Sequence, residues 1–459
     1  MYDTIIIGAG MSGLAAGIRL AHFDQKVCIL ERHYTIGGLN SFYRLRGRDY
    51  DVGLHAVTNY AIKGKRGPLS TMLRQLRFKW EDFALAPQNG SRIAFPDVDL
   101  KFTNDIDVLR NEIAQKFPRQ IDGFDRLRGK IVNYDELSQE NYEQSTRAVM
   151  EDCISDPMLI EMLLCPTMWY GNARENDMDF GQFSIMFRSI YEEGFARPYK
   201  GVRLILKNLV KRFRSLGGEL KLRTGVQSLK IEDGRVAGVE LDNGDVITGK
   251  NVLSSAGQIE TLRMCDDSSE IDPRKVGQMA FIETISILDR QPTDLGLDDT
   301  IVFYNDSEKF NWNRSNELCD LRTGVICSPN NYQYSDEDGQ LADGVVRITA
   351  IAGYDQWNNL SEDQYQIEKS KWYDLVGESA ARFVPDYRRF VVDTDMFTPT
   401  TVKRFTWHDK GAIYGAPDKK LDGTTHLSNL FICGSDQGFV GIVGAIISGI
   451  SMANRHCLV

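Results

Sequence analysis

The sequence predicts an α/β fold in which one parallel sheet is assembled from three separated stretches of the chain. An apolar strand near the N-terminus runs into a glycine-rich turn and a helix of small residues, and a similar unit closes the chain. A third strand-forming block lies near the middle. Because apolar strands that alternate with helices are typical of parallel sheets, we expect these stretches to form one sheet.

The first unit spans residues 5–31. The apolar run Ile5 to Ile7 precedes a glycine turn, and the next strand, Val27 to Leu30, ends in an acid 18 residues after the last glycine of the turn. In such a fingerprint the glycines permit a tight turn, close approach to a pyrophosphate and close helix packing, while the acid binds a ribose. The helix N-terminus adds free N–H groups. The predicted contacts with an adenine dinucleotide are Gly8, Gly10, Met11, Ser12, Gly13 and Glu31.

A second glycine pair follows the acid and indicates which dinucleotide binds. The segment E-R-x(4)-G-G begins at Glu31 and leads into Leu39 and Asn40. A nicotinamide fold needs nothing special here, whereas FAD is longer and requires backbone beside its ribityl chain. The arrangement resembles the glutathione-reductase/amine-oxidase class of FAD proteins. We therefore predict FAD as the cofactor, with further contacts from Arg32, Gly37, Gly38, Leu39 and Asn40.

The C-terminal unit gives an independent match. The strand Leu430 to Cys433 meets a glycine-rich turn and an uncharged helix of small residues, which is too short to span a membrane. In this class of proteins the last strand, turn and helix close the FAD site. We expect Gly434 and Asp436 near the ribityl or pyrophosphate, and the backbone of Gly441, Ile442 and Val443 near the isoalloxazine at a helix N-terminus.

The middle block completes the predicted cofactor domain. Residues 201–216 form an amphipathic helix pattern, a strand follows at 219–222, and two hairpin turns are expected near Gly234 and Gly244. Val226 is predicted to contact the adenine through its backbone. The chain thus divides into a discontinuous Rossmann-like FAD domain (1–75, 196–260 and 396–459) and an inserted mixed α+β substrate domain (76–195 and 261–395).

The inserted segments are predicted to combine helices with a sheet. Helical patterns cover 105–117 and 142–164, with breaks expected at Asp156-Pro157 and at Pro166. Strands are expected at 281–288 and 345–352, and a helix at 363–383. Methionine and aromatic residues gather between 162 and 191. Most of these are expected in the core, although a helical lid rich in methionine and aromatic residues is also what an apolar substrate tunnel needs.

Composition excludes several classes of protein. The chain has 459 residues and a net charge of −10, and no basic tract stands out, so we expect no nucleic-acid partner. The eight cysteines show no CxxC pair and no histidine-rich neighbourhood, so we expect no metal site and interpret several of them as core residues. No signal-peptide pattern precedes Ile5, and a cytoplasmic location is the default expectation.

Taken together, these segments resemble the phytoene desaturase family of FAD oxidoreductases, which includes carotenoid desaturases, carotenoid isomerases and retinol saturases. The resemblance spans nearly the whole chain. It rests on both glycine motifs, on DVGLHAV from Asp51, on residues 197–229, and on the segment FTPTTVKRFTWHDKGAIYGAP. Asp51-x-Gly53-x-His55 is closer to the saturase branch. The resemblance implies hydride transfer between flavin N5 and a carbon of a long isoprenoid or polyene.

Such a carbon offers no acidic proton and no hydrogen-bonding group, so few polar catalytic residues are expected. His55 is the candidate catalytic residue, as a proton donor or a flavin-facing contact; packing beside the turn is its structural alternative. Tyr414 and His408 are candidates for the channel lining, with ordinary loop contacts as the alternative. The predicted partner is an apolar small molecule. A transient contact of the basic helix face with a membrane surface is also considered.

Two alternative functions stay open at this level. The first is an amine-oxidase-like flavoenzyme that acts on a soluble amine, which is expected to have an aromatic cage beside the flavin. The second is a non-catalytic relative similar to the prenyl-protein escort proteins. The intact phosphate-binding glycines and the C-terminal flavin block count against the second.

Overall fold

The computed structural model describes residues 1–53, 55–60, 66–135, 143–265 and 271–458. The strands, in chain order, are β1 (Tyr2–Ile7), β2 (Val27–Leu30), β3 (Phe42–Leu45), β4 (Arg48–Asp51), β5 (Leu85–Pro87), β6 (Ser91–Phe95), β7 (Val98–Phe102), β8 (Ala196–Pro198), β9 (Glu219–Lys221), β10 (Val226–Glu232), β11 (Arg235–Leu241), β12 (Val246–Ile247), β13 (Gly249–Ser254), β14 (Ala280–Leu288), β15 (Ile301–Asn305), β16 (Cys319–Cys327), β17 (Gly344–Ala352), β18 (Val391–Phe397) and β19 (Leu430–Ile432).

The helices alternate with these strands at the N-terminus and gather in the inserted segments. They are α1 (Met11–Ala21), α2 (Pro68–Gln75), α3 (Ile106–Lys116), α4 (Ile121–Val132), α5 (Thr146–Glu151), α6 (Pro157–Gly171), α7 (Phe180–Phe187), α8 (Val202–Ser215), α9 (Gln258–Met264), α10 (Tyr354–Asn358), α11 (Glu362–Ala380), α12 (Pro399–Thr406) and α13 (Gly441–Met452). Within the described ranges, no helix is both long enough and apolar enough to cross a bilayer.

The predicted parallel sheet is present and draws on all three separated stretches. Its strand order is β19-β13-β1-β2-β9, and every pairing is parallel. Side chains alternate between its faces. Ile6, Ile29 and Leu253 pack against α1, α8 and α13, whereas Ile5 and Ile7 pack against a small antiparallel sheet, β10-β11-β12. The α/β fold class is therefore confirmed, and the two hairpin turns lie where the sequence predicted them.

The inserted segments build a second, larger sheet of order β18-β14-β17-β16-β15-β6-β7. Its pairs are antiparallel except β15 with β6. One face of this sheet packs against α3 to α7 through residues such as Phe281 and Phe303. The other face packs near α11 through residues such as Ile282 and Ile348. Strand β14 is buried along its whole length.

The predicted helix break at Pro166 is wrong. Asp156 caps a helix that starts at Pro157, as predicted, but this helix continues through Pro166 to Gly171. A proline in a helix interior removes one backbone donor. The hydroxyl of Thr167 donates to the Leu164 carbonyl at 2.8 Å, and α6 is buried among apolar neighbours. Tertiary packing therefore holds the helix together across the proline. The N-terminal end of the predicted 142–164 helix, at Tyr142, lies outside the described residues.

Candidate functional site

A cavity of about 590 Å³ lies between the parallel sheet and the larger sheet. Its walls include the loops that follow the carboxyl ends of β1, β2, β13 and β19, which is where ligands bind in open α/β sheets. The opposite wall comes from β14, β16 and β17. The predicted site residues that line it are Gly8, Gly10, Met11, Ser12, Glu31, Arg32, Gly37, Gly38, Leu39, Asn40, His55, Val226, Gly434, Gly441 and Ile442.

The glycines of this cavity test whether a dinucleotide fits. A Cβ placed on Gly10 meets nothing within 4 Å, and one on Gly38 or Gly441 meets a single atom, at 3.9 Å or 3.7 Å. Side chains at these positions would point into the cavity, where backbone is needed close to a ligand. Gly13 differs, because a Cβ there would lie 2.1 Å from the Gly8 carbonyl oxygen. Gly13 therefore serves helix–strand packing, and the other three form an open cradle that fits a nucleotide.

Both helices that begin at the cavity point their N-termini into it. Helix α1 begins at Met11 and α13 begins at Gly441, and neither has a side-chain cap on its free backbone N–H groups. Such an end favours negative charge. Glu31 lies nearby, where its carboxylate accepts hydrogen bonds from the N–H groups of Ala9 (2.8 Å) and His33 (2.9 Å). Burial raises the pKa of Glu31.

Arg32 closes one end of the cavity. Its guanidinium donates to the Val226 carbonyl at 2.5 Å and to Asp242 at 3.2 Å, and it lies 3.6 Å from the ring centre of Trp407. The Val226 carbonyl is thus already bonded within the protein. The predicted adenine contact at this residue stays a prediction.

Two predicted contacts of the C-terminal unit, Asp436 and Val443, are not among the residues that line the cavity. The predicted backbone contact of Val443 stays a prediction. Asp436 does not line the cavity, because its buried carboxylate accepts from the N–H groups of Gln258 (2.6 Å) and Ala416 (2.7 Å). Its neighbour Ser435 lines the cavity instead. Val443 packs in the core of the parallel-sheet half. The Asp436 carboxylate therefore connects its own turn to the segments of Gln258 and Ala416. The side chain of Val443 anchors α13 in the core.

His55 belongs to a buried polar network on the larger sheet. Its Nε2 lies 2.9 Å from Glu283 Oε2, and Thr349 donates to the same oxygen at 2.8 Å. Arg347 donates through Nε to the other carboxylate oxygen at 2.5 Å. Glu283 on β14 faces Thr349 on β17 in register, with Arg347 two residues away on the same face. His55, Glu283 and Thr349 all line the cavity.

Electrostatics keeps the carboxylate of this network ionised. Burial alone would raise the pKa of Glu283, but Arg347 and His55 outweigh burial and lower that pKa from 4.5 to about 2. Sequence reasoning found His55 but missed Glu283 and Arg347. A signal was present, since each is a charged residue in the middle of an otherwise apolar strand, AFIETISIL and GVVRITAIA. A buried charge is costly unless it is paired.

A second histidine–glutamate pair lines the same cavity. His408 Nδ1 lies 3.5 Å from Glu260 Oε1, at ion-pair distance but without a well-aligned hydrogen bond. Burial alone would lower the pKa of His408, but Glu260 outweighs burial and raises it. His408 therefore lies at the cavity wall, as one of the two sequence interpretations proposed.

One part of the cavity wall is apolar. It is lined by aromatic and aliphatic side chains of α6, the larger sheet and the two C-terminal loops: Trp169, Tyr170, Phe281, Val325, Ile413, Tyr414, Phe439 and Val440. The Tyr414 hydroxyl donates to the Trp169 carbonyl, and the Trp169 indole N–H donates to Thr323 at 3.2 Å. Those polar atoms are therefore satisfied within the protein, and the rings present apolar surface to the cavity.

Comparison with known proteins agrees with this geometry. The family described as flavin containing amine oxidoreductase matches residues 11–456. The chain is 22% identical to prolycopene isomerase of Daucus carota over 99% of this chain and 80% of that protein. It is 22% identical to 4,4'-diaponeurosporene oxygenase of Staphylococcus aureus, over 98% of this chain and 97% of the relative.

Solved structures share the fold. An oxidoreductase from Methanosarcina mazei superposes with a TM-score of 0.69 at 16% identity, covering 98% of this chain and all (100%) of that one. Putrescine oxidase bound to putrescine superposes with a TM-score of 0.65 at 15% identity, covering 99% and 98% of the two chains.

Proposed function

Because the chain belongs to the flavin-containing amine oxidoreductase family and is an oxidoreductase, we propose that it binds FAD and acts on an apolar polyene of the carotenoid or retinoid class. In this proposal the flavin, when bound, exchanges a hydride with a substrate carbon at N5. The apolar wall of the cavity carries the proposal. The relatives named for prolycopene and diaponeurosporene support it.

We assign the parts of FAD to the residues of the cradle. The N-terminus of α1, at Gly10, Met11 and Ser12, would hold the pyrophosphate. Glu31 would accept hydrogen bonds from the adenosine ribose, since its two observed N–H donors leave further lone pairs on the carboxylate. Gly441 and Ile442, at the start of α13, would lie against the isoalloxazine.

The chain's own residues would orient the substrate and exclude water. Phe281 contacts the ring of Trp169 in a tilted arrangement, with ring centres 5.0 Å apart, and the ring of Tyr414 edge-on, with ring centres 5.7 Å apart. Such a rigid slot holds an apolar chain by contact area and shape. His55, at the polar edge of the slot, would exchange a proton with the substrate.

The test uses purified flavin-loaded protein under anaerobic conditions, with cis- and trans-carotenoids, retinoids and amines such as putrescine. Bleaching of the oxidised flavin by a polyene indicates desaturation, and re-oxidation of the dithionite-reduced flavin indicates saturation. Isomerised product without a lasting spectral change indicates isomerisation. Each of these supports the proposal. Reaction with an amine and with no polyene, or with neither class, contradicts it.

A matched pair of variants tests the apolar slot itself. Ile413→Glu places a carboxylate in the slot, and Ile367→Glu makes the same change at a residue that is 66% exposed. We expect Ile413→Glu to lower polyene turnover at least ~10-fold, because an unpaired charge there must be desolvated, while flavin content stays unchanged. Ile367→Glu should match the wild type. Equal turnover in both variants would exclude the slot as the substrate site.

A further inference from the structure

We propose that Glu283 is a positioning residue that fixes His55 with its hydrogen on Nε2 and so leaves Nδ1 as the atom that exchanges a proton in the cavity. This inference rests on the proposed function, in which His55 serves a polyene reaction. It names Nδ1 as the atom of His55 that exchanges the proton, and Glu283, 228 positions away in the chain, as the residue that selects this atom.

The first step is that Glu283 can only accept hydrogen bonds. Its carboxylate is paired with the Arg347 guanidinium and takes the Thr349 hydroxyl hydrogen at 2.8 Å. An ionised carboxylate has no hydrogen to donate. Arg347 is itself held by the Val52 carbonyl at 2.5 Å, so the charge that keeps Glu283 ionised cannot swing away without breaking that contact.

The second step is that His55 Nε2 must therefore carry a hydrogen. Nε2 lies 2.9 Å and 3.1 Å from the two oxygens of Glu283, and 3.3 Å from a Thr349 hydroxyl whose own hydrogen goes to Glu283. All three neighbours of Nε2 are thus acceptors. Which ring nitrogen of a histidine is protonated is set by the bond that the other makes.

The third step is that Nδ1 faces the cavity. Within the described part of the chain Nδ1 has no hydrogen-bond partner. It is not one of the buried polar atoms without a partner, so it is accessible from the cavity that His55 lines. The backbone of His55 is held from behind, since its carbonyl accepts the Tyr332 hydroxyl at 2.8 Å and lies 3.9 Å from Cys327 Sγ. The ring is therefore held at Nε2 and the backbone at the carbonyl oxygen, so Nδ1 is the ring nitrogen that the substrate can reach.

In this arrangement the proton inventory balances. During desaturation the hydride of one substrate carbon would go to the bound flavin at N5. The C–H bond of the neighbouring carbon breaks, its electron pair becomes the new π bond, and its proton forms a bond to Nδ1. During saturation the hydride would come back from the reduced flavin to the first carbon, and the proton returns from Nδ1 to the second. Glu283 gains and loses no proton in either direction, and its part is to hold the ring.

The test is ¹⁵N NMR of flavin-loaded protein labelled at its six histidines, with His55→Asn to assign the resonance. In the neutral imidazole we expect Nε2 to be protonated and pyrrole-like and Nδ1 to be unprotonated and pyridine-like. The reverse pattern overturns the proposal. Two pyrrole-like nitrogens at every pH also overturn it, because Nδ1 then exchanges nothing.

Glu283→Gln gives the sharper result. Because the Arg347 guanidinium can only donate, the amide oxygen of the new glutamine faces Arg347 and its NH₂ group faces His55. His55 Nε2 must then accept a hydrogen bond. We expect the two ¹⁵N shifts to exchange places. The same change at the other pair, Glu260→Gln, should leave the His55 signals unmoved. An unchanged tautomer in Glu283→Gln contradicts the proposal, and the wild-type spectrum decides alone if the variant fails to fold.

Polyene turnover with the wrong tautomer refutes only this inference, whereas the expected tautomer without turnover refutes only the proposed function.

Discussion

The two histidine–glutamate pairs of the cavity use the same side chains in different ways. At His55–Glu283 a third group, Arg347, neutralises the carboxylate, and the histidine hydrogen bond is 2.9 Å long. At His408–Glu260 the separation is 3.5 Å, and the carboxylate accepts the backbone N–H of Asp409 at 2.7 Å. The first carboxylate orients its histidine. The second raises the pKa of its histidine.

The larger sheet explains part of this difference. Glu283 and Arg347 sit on neighbouring strands, where cross-strand register fixes their distance. Glu260 and His408 come from a short helix and a loop. The charge of Lys419 acts on His408, but its Nζ lies 3.9 Å from the carboxylate of Asp436. Burial lowers the pKa of Lys419. A cation in that state neutralises a carboxylate less well than a buried arginine does.

The largest expected effect follows from removing each cation. Arg347→Met leaves Glu283 buried without its partner, which should lower the free energy of unfolding by about 3–5 kcal/mol. Lys419→Met removes a cation that burial already disfavours and should cost clearly less. Urea unfolding at neutral pH measures both. If Lys419→Met costs as much as Arg347→Met, the two sites do not differ in the way argued above.

The glycine turns could be read from sequence because each one is local. Gly8, Gly10 and Gly13 act within a few residues of one another, and of these three Gly10 belongs to the open cradle of the cavity. The His55–Glu283 contact could not be predicted, since it depends on which strands of a distant sheet pair in which register. The charged residues within apolar strands indicated buried partners, but nothing in the sequence showed which partners.

Asp436 shows a finer limit. Ser435 and Asp436 are adjacent, and the dihedral angles of the turn decide which side chain faces the cavity. The resemblance to FAD proteins favoured the carboxylate. The fold instead uses that carboxylate to accept two backbone N–H groups from other loops, a need that arises only once those loops have come together. Local chemistry predicts a ligand in such a case, and tertiary hydrogen bonding overrides it.

Acid titration measures how much the ionised Glu283 carboxylate contributes to the free energy of unfolding. The folded-state pKa of Glu283 is lowered from 4.5 to about 2, so its contribution to stability is complete above the unfolded value and is lost as pH falls through the folded one. Relative to Glu283→Gln, the wild type should lose roughly 3 kcal/mol over that interval. Unfolding free energies at stepped acidic pH measure this difference, and a constant difference between the two proteins would contradict it.

Alkaline titration tests the other pair and has the smallest expected effect. Because Glu260 raises the pKa of His408 above 6.5, the folded protein holds that proton more tightly than the unfolded chain does. The stabilisation is therefore complete below the unfolded pKa and disappears as pH rises through the folded one. We expect the unfolding free energies of wild type and His408→Asn to converge as pH rises from about 6.5. Divergence over the same range would show that His408 is held neutral, and the contrast between the two pairs would then fail.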